Sequence, residues 1–247
     1  MNGTTSVGTD AGSGYAGRKA VLAGTAVVMS TVAAAAARHK LRNWGSTWDE
    51  QARQLPGDEL VENATSVYTR AITIHAPPDE VWQWIVQIGQ DRGGWYSYEG
   101  LENLFGLDIH NTDEVRDEWQ RLSVGDEVRV APAGSLGMKD GYAFRVAIVE
   151  PGRALVLRQE PPEHPWNATW AFLLAPDGWG GTRLLVRGRS VRPPGLAGYL
   201  VHLGGELLDP VTLIMTRRML LGIRARAEFA HQRRLREQAR ITAPKAA

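Results

Sequence analysis

A run of glycines, aromatic residues and a carboxylate at residues 93–99 has the residue types best suited to chemistry. It reads Gly-Gly-Trp-Tyr-Ser-Tyr-Glu. Glycine admits backbone conformations that are closed to other residues, so three rings and a carboxylate can be presented together. Tyr96, Tyr98 and Glu99 are candidates to hydrogen-bond the polar end of a ligand, with Trp95 as an apolar wall. The alternative is a loop packed by its own aromatic rings over the preceding helix.

A histidine beside carboxylates forms the second candidate group. His110 lies two residues after Asp108 and three before Asp113. A histidine in such a setting can act as a general base or as a metal ligand. No second histidine is near and there is no H-E-x-x-H motif, so we predict no metal site. The alternative is a histidine that braces its loop. We predict no catalytic residues; if the protein is an enzyme, the candidates are His110, Tyr98 and Glu99.

The third group lies on predicted strands and on the last helix. Arg145 or Arg187 would bind an acidic headgroup if its strand directs it inward, because arginine can contact a carboxylate through two nitrogens. The alternatives are a solvent-facing arginine and ordinary core packing for the apolar residues. The complete ligand-binding prediction is Trp95, Tyr96, Tyr98, Glu99, Arg145, Trp170, Phe172, Met215 and Met219.

Composition excludes several classes of function. The 247 residues include no cysteine, so disulfides, thiolate catalysis and cysteine-ligated zinc are excluded. The formal net charge of +1 argues against duplex DNA as a partner. The last helix is rich in arginine but lacks the interleaved aromatic residues that single-stranded nucleic acids require. We therefore predict no nucleic-acid partner and no cofactor.

The elements that must position these residues follow from hydrophobic periodicity. Alternation over residues 67–74 predicts a strand. Pro77 and Pro78 end it and suit the first turn of a helix whose apolar residues fall on one face. The further predicted strands are Glu127–Ala131, Ala143–Glu150, Ala154–Gln159, Ala168–Ala175 and Thr182–Val191.

Two helices are predicted after Pro193-Pro194. The first would be a short helix over Leu196–Leu208. Asp209 is a suitable N-cap and Pro210 a suitable first helical residue, so a new, longer helix should begin there.

This order of elements resembles the SRPBCC, or START-like, helix-grip superfamily, which includes polyketide cyclases and dehydrases. Three stretches are similar to a membrane-anchored bacterial branch of it: Leu-Pro-Gly-Asp-Glu-Leu from residue 55, Gly-Gly-Trp-Tyr-Ser-Tyr from residue 93 and Leu-Asp-Ile-His from residue 107. The resemblance implies an α+β fold over residues 67–235. In that fold a curved antiparallel sheet wraps a long C-terminal helix, and the ligand cavity lies between them.

Residues 20–37 form an uncharged stretch of 18 residues between basic flanks. This is the minimum length for a membrane span, so we predict a single-pass transmembrane helix. A cleaved signal peptide and a soluble alanine-rich helix are the alternatives. Three basic residues follow the stretch and two precede it, which favours a cytoplasmic C-terminal domain. The predicted divisions are a disordered 1–19, the anchor 20–37, a linker 38–66, the ligand-binding domain 67–235 and a tail 236–247.

The main functional prediction is a membrane-tethered domain that binds a lipid or another hydrophobic small molecule in an internal cavity. Its membrane contacts would be residues 20–37 and the basic last helix. One alternative is a cyclase- or dehydrase-type enzyme acting on an apolar substrate in the same cavity. Another is a membrane-surface protein whose cavity is vestigial.

Overall fold

The computed structural model describes residues 11–135, 139–161, 167–191 and 195–242. The chain forms two compact units, Met1–Leu41 and Arg42–Ala247. The first contains most of helix α1, Ala11–Arg42. Residues 11–19 are therefore helical, although disorder was expected there, and residues 1–10 lie outside the described residues.

Within the described residues, no helix is both long enough and apolar enough to cross a membrane. The expected anchor over residues 20–37 is helical and lies within α1. However, eight of its 18 residues are alanine, and a single methyl group removes little apolar area from water. The transmembrane part of the predicted fold is therefore not supported.

The second unit has an α+β architecture around one sheet of six antiparallel strands. The strand order is β1-β6-β5-β4-β3-β2. Proline and glycine turns separate neighbouring strands, which places the observed ends within two residues of the predicted ones. The strands are β1 Ser66–Ile74, β2 Glu127–Ala131, β3 Tyr142–Glu150, β4 Ala154–Gln159, β5 Ala168–Pro176 and β6 Thr182–Ser190.

The other helices of this unit are short, apart from the last. Short 3₁₀ turns occur at Asp58–Val61 and Asp117–Trp119. Helix α3 begins at its predicted proline, with Asp79 and Glu80 in its first turn. The helices are α2 Trp48–Ala52, α3 Pro78–Val86, α4 Glu99–Leu104 and α5 Gly195–Thr242.

Helix α5 is one continuous helix with Pro210 inside it, so the predicted break after Leu208 is wrong. An interior proline costs about 3 kcal/mol because a backbone hydrogen bond is lost. Burial of Met219, Leu220 and Ile223 in the later turns offsets that cost. The expected tail begins within α5, and residues 243–247 lie outside the described residues.

The strand register assigns alternate residues to two apolar layers. The inner face carries residues such as Ile72, Leu184 and Phe172, which pack against Trp84 of α3 and Ile223 of α5. The outer face forms a second, smaller apolar cluster. Its buried residues are Leu55, Ala71, Ala154, Val156, Ala171, Leu173 and Leu185.

Residues 42–62 pack on the outer face, so the domain begins earlier than the predicted residue 67. The buried Arg187 side chain holds them in place. Its guanidinium donates to Asp58 Oδ2 at 2.7 Å and to the carbonyl oxygens of Arg53 and Gln51 at 3.0 and 3.1 Å. Most of the predicted linker is therefore part of the domain.

Candidate functional site

The segment around residues 93–99 is held by close backbone packing. Gly94 has φ +76°, and a Cβ there would lie 2.5 Å from Asn111 Oδ1, so a glycine is required. Two residues later, the backbone of Tyr96 also has a positive φ, +54°. Its phenol oxygen accepts from Gln87 Nε2 at 2.9 Å, and its backbone nitrogen donates to Asn111 Oδ1 at 2.6 Å. These contacts direct the Tyr96 ring into the core.

A cleft of about 610 Å³ lies between this segment, the loop after α4 and helix α5. Tyr98, Glu99 and Leu101 line one side, and Ile214 and Arg218 line the α5 side. Tyr98 is 43% exposed, and the Arg218 guanidinium lies 5.7 Å from its ring centroid. The cleft therefore combines an exposed aromatic ring, apolar side chains and a cation.

The second arginine of the cleft is already engaged. Arg226 Nη2 lies 2.6 Å from Asp113 Oδ1, and its Nε donates to the Thr112 carbonyl at 2.8 Å. Its guanidinium also lies 4.9 Å from the Tyr96 ring centroid. Burial raises the pKa of Tyr96, against the opposing effects of its Gln87 hydrogen bond and of Arg226. Tyr96 is therefore a neutral phenol at physiological pH.

His110 lies on the surface beside two carboxylates. Its Nε2 is 3.1 Å from Asp108 Oδ1, and its Nδ1 is 3.6 Å from Glu99 Oε1. Its side chain is 73% exposed, and Glu99 Oε2 accepts from the Asn111 backbone nitrogen at 2.9 Å. This arrangement braces the loop. Over the described ranges, no group of three or more acidic or histidine side chains is placed to hold a metal ion.

Glu102 of α4 was not anticipated. It is 5% exposed, and its Oε2 has no hydrogen-bond partner in the described structure. Burial and the nearby charge of Glu99 raise the pKa of Glu102 to about 7. Two glutamates three residues apart on one helix were the only sequence signal for it.

Four aromatic side chains line the inner face at one end of the sheet, and we call them the aromatic wall: Trp95, Phe144, Trp170 and Phe172. Trp95 stacks on Trp170 with ring centroids 5.1 Å apart and an interplanar angle of 23°. Phe172 and Phe144 flank Trp170 at 5.0 and 5.9 Å. The indole nitrogens of both tryptophans are buried and have no hydrogen-bond partner among the described residues. The wall thus contains two buried donors without a partner in the described residues.

The structure distributes the predicted ligand-binding residues over the cleft, the aromatic wall, the core and the outer face of the sheet. Tyr96 contributes to the lining of the cleft although its ring is buried. Tyr98 and Glu99 line the cleft, whereas Met219 packs wholly in the core. Met215 is half-buried, and its carbonyl accepts from Ser97 Oγ at 3.1 Å.

Arg145 lies at neither the cleft nor the wall. Its neighbours Phe144 and Val146 occupy the inner face, so strand alternation turns Arg145 outward. There its Nη2 lies 4.0 Å from Glu127 Oε1.

A buried arginine of the inner face also escaped prediction. Arg70 is 1% exposed, and its Nη1 donates to the Thr212 carbonyl at 2.9 Å and to Thr216 Oγ1 at 2.7 Å. Its Nε has no partner in the described structure, and burial lowers the pKa of Arg70. The sequence signal for this position was the period-two spacing of β1, which puts Arg70 on the same face as Tyr68 and Ile72.

Comparison with known proteins gives structural likeness only. No family model matches the chain. No curated protein matches it either. Solved structures that resemble it include protein Ms6760 from Mycobacterium smegmatis, which is 17% identical with a TM-score of 0.39 over 67% of this chain and 92% of that chain. A Polyketide_cyc-like protein, Cgl2372 from Corynebacterium glutamicum, is 18% identical with a TM-score of 0.31 over 73% of this chain and 97% of its own.

A third structure, protein MLL2253 from Mesorhizobium loti, is 14% identical with a TM-score of 0.38 over 66% of this chain and 98% of that chain. At such TM-scores these likenesses carry no argument of their own, and the fold is assigned from strand order and register. The six-stranded antiparallel sheet with a long C-terminal helix packed on its inner face is the helix-grip arrangement.

Proposed function

We propose that this protein binds a hydrophobic small molecule, a lipid or another apolar compound, that carries at least one oxygen acceptor. The ligand would lie against the aromatic wall. The observation that supports this most directly is the pair of unpartnered indole nitrogens on Trp95 and Trp170.

The energetic reason is the cost of an unmade hydrogen bond. A buried donor without a partner costs about 1–3 kcal/mol, and two occur on stacked rings. A carbonyl, ester or quinone oxygen would remove that cost, while the apolar remainder of the ligand would gain contact with the rings. The donors therefore select for an oxygen acceptor, and the rings select for apolar or planar groups.

Two probes of matched shape test the proposal on the full chain: 1,4-naphthoquinone, which has two carbonyl acceptors, and naphthalene, which has none. Calorimetric titration should show tighter binding of the quinone. Trp170→Phe keeps an aromatic ring but removes one N–H, and should weaken quinone binding about fivefold, the equivalent of one hydrogen bond of about 1 kcal/mol. Naphthalene binding should change little.

Trp179→Phe is the matched control, because Trp179 is 94% exposed and lies in the turn between β5 and β6. Native mass spectrometry with lipid extraction of the purified full chain should also find a bound apolar species. Equal quinone affinity in the Trp170 and Trp179 variants, or an empty chain that binds neither probe, would contradict the proposal. The second result would favour the vestigial-cavity alternative.

An enzyme of the cyclase or dehydrase type is the second candidate, and the Glu102 carboxyl favours it. A buried carboxyl with a pKa of about 7 is suited to proton transfer at neutral pH. Protein-dependent deuterium exchange of the acidic C–H groups of a β-diketone probe would be the expected activity, with Glu102→Gln abolishing it. Exchange that is equally fast in Glu102→Gln, His110→Ala and Tyr98→Phe would remove these residues from the mechanism.

Membrane tethering through residues 20–37 stays a prediction from sequence. Carbonate extraction of membranes from cells that express the full chain would test it. A chain that remains with the lipid pellet would support an inserted helix.

A further inference from the structure

An exposed apolar patch covers α4 and the adjoining turn of α5. Leu101, Leu104 and Phe105 share one side of α4 and its end, with 40, 78 and 61% of each residue exposed. Leu101 lines the same cleft as Ile214 of α5, which is 51% exposed. Val211 lies one turn before Ile214 and is 47% exposed. We call Leu101, Leu104, Phe105, Val211 and Ile214 the α4–α5 patch.

Two cations border this patch. Arg217 and Arg218 follow Ile214 by one helical turn and are exposed. Their guanidinium groups lie 5.3 Å from the Trp44 ring centroid and 5.7 Å from the Tyr98 ring centroid. Neither forms an ion pair with a carboxylate within the described residues, so both charges are available to a partner.

The acidic groups near the patch are already engaged or buried. Glu99 contacts His110 and accepts from the Asn111 backbone nitrogen. Asp113 pairs with Arg226, and Glu102 is buried. Residues 211–240 of α5 hold eight arginines against two glutamates, a formal excess of six positive charges. At the patch itself, the positive charge is that of Arg217 and Arg218.

We propose that the α4–α5 patch docks on the surface of an anionic lipid bilayer. Exposed leucine and phenylalanine beside arginine are the combination that binds at the boundary between headgroups and acyl chains. Each well-placed cation contributes about 1 kcal/mol at an anionic membrane surface. A second copy of the chain, packed patch to patch, would instead bring Arg217 and Arg218 close to their own equivalents. Docking would leave the cleft open toward the bilayer.

The absence of cysteine from the chain allows a local test on the full-length protein. A single cysteine introduced as Leu104→Cys is labelled with the environment-sensitive dye NBD. Val124→Cys is the matched control, because Val124 is 65% exposed and lies outside the patch. Vesicles of phosphatidylcholine with phosphatidylglycerol should raise the NBD emission at residue 104 severalfold and shift it to shorter wavelength. Vesicles of phosphatidylcholine alone, and the label at residue 124, should show neither change.

Charge variants complete the test. Arg217→Gln and Arg218→Gln should each weaken vesicle binding, read from the label at residue 104, about fivefold. Arg153→Gln, at an exposed turn of the sheet, should leave it unchanged. Binding of the chain to vesicles without any change at residue 104 would assign membrane contact to another segment and overturn the proposal.

Two further results would also overturn it. Equal emission changes at residues 104 and 124 would indicate unspecific adsorption. A change at residue 104 that depends on protein concentration, without vesicles, would identify a second copy as the occupant. The test is independent of the proposed ligand, since the label reports the outer surface of α4.

Discussion

The two faces of the sheet bury polar groups in different ways. On the outer face, Arg187 donates five hydrogen bonds, to Thr69, Asp58 and the carbonyl oxygens of residues 50, 51 and 53. On the inner face, the indole nitrogens of Trp95 and Trp170 have no partner within the described part of the chain. The Arg187 guanidinium is thus satisfied by groups of the chain itself. The inner face retains two buried donors without a partner, which under the proposed function a ligand would satisfy.

The largest loss of stability is expected from Arg187→Met, which removes the hydrogen-bonded arginine of the outer face. Removing the guanidinium leaves Asp58 buried without its 2.7 Å partner and releases residues 50–58 from the sheet. Loss of one member of a buried pair costs about 3–5 kcal/mol. Urea unfolding followed by circular dichroism should show a loss of this size. Arg145→Met on the same face, where the arginine is exposed, should change stability by less than about 0.5 kcal/mol.

Gly222→Ala tests how closely α5 approaches the backbone of Tyr96. A Cβ at residue 222 would lie 2.3 Å from the Tyr96 carbonyl oxygen, so the helix or the segment beneath it must move. Such overpacking costs about 1–3 kcal/mol. The thermal midpoint should fall accordingly. Gly100→Ala, where no atom lies within 4 Å of the added Cβ, is the control and should not lower the stability. Equal stability of both variants would contradict the close contact.

Glu102 makes the stability of the folded protein depend on pH. Folding raises the pKa of Glu102 from 4.5 to about 7, so the folded state binds the proton more tightly than the unfolded state. Its contribution to stability is therefore complete below pH 4.5 and is lost as the pH rises through 7. The loss is on the order of 1 kcal/mol after allowance for solvent screening.

The measurement is the urea midpoint across this pH interval for the wild-type protein and for Glu102→Gln. The variant should lack the part of the slope that Glu102 causes. Parallel curves would show that the carboxyl ionises alike in the folded and unfolded states.

The smallest effect on stability is expected from Trp170→Phe without ligand. The substitution removes a donor that has no partner, so the free energy of unfolding should change by less than about 1 kcal/mol. Chemical unfolding of the ligand-free protein measures this free energy, with Trp179→Phe as the control. A loss above about 2 kcal/mol would show that the Trp170 ring is tightly packed or its N–H hydrogen-bonded in the ligand-free chain, and would contradict a donor left for a ligand.

Local sequence patterns predicted the strands well. They failed where contacts between residues far apart in the sequence determine the structure. Period-two alternation and the turns at Gly125-Asp126 and Pro151-Gly152 placed β2 and β4 at their observed bounds. The continuity of α5 through Pro210 was missed, because tertiary burial of later turns outweighs a local signal to restart. The outer-face packing of residues 42–62 was missed because Asp58 and Arg187 are 129 residues apart.

The candidate site was predicted in part. The segment after Gly93-Gly94 does contribute Tyr98 and Glu99 to a cleft. Its two other aromatic residues point inward: Tyr96 is held by Gln87, and Trp95 stacks on Trp170. Whether a ring faces solvent or core depends on one positive φ angle and on partners from other elements, so residue type alone could not separate these roles.

By itself, the sequence determined the six strands, the helix that begins at Pro78, the absence of thiol chemistry and the residue types available for binding, because these depend on neighbours along the chain. Only the tertiary structure decided which of those residues meet. The stacking of Trp95 on Trp170, the orphan indole nitrogens and the buried Glu102 carboxyl all require contacts across strand pairs and helix packing. Such contacts are set by burial and register over long separations, for which a local pattern carries no information.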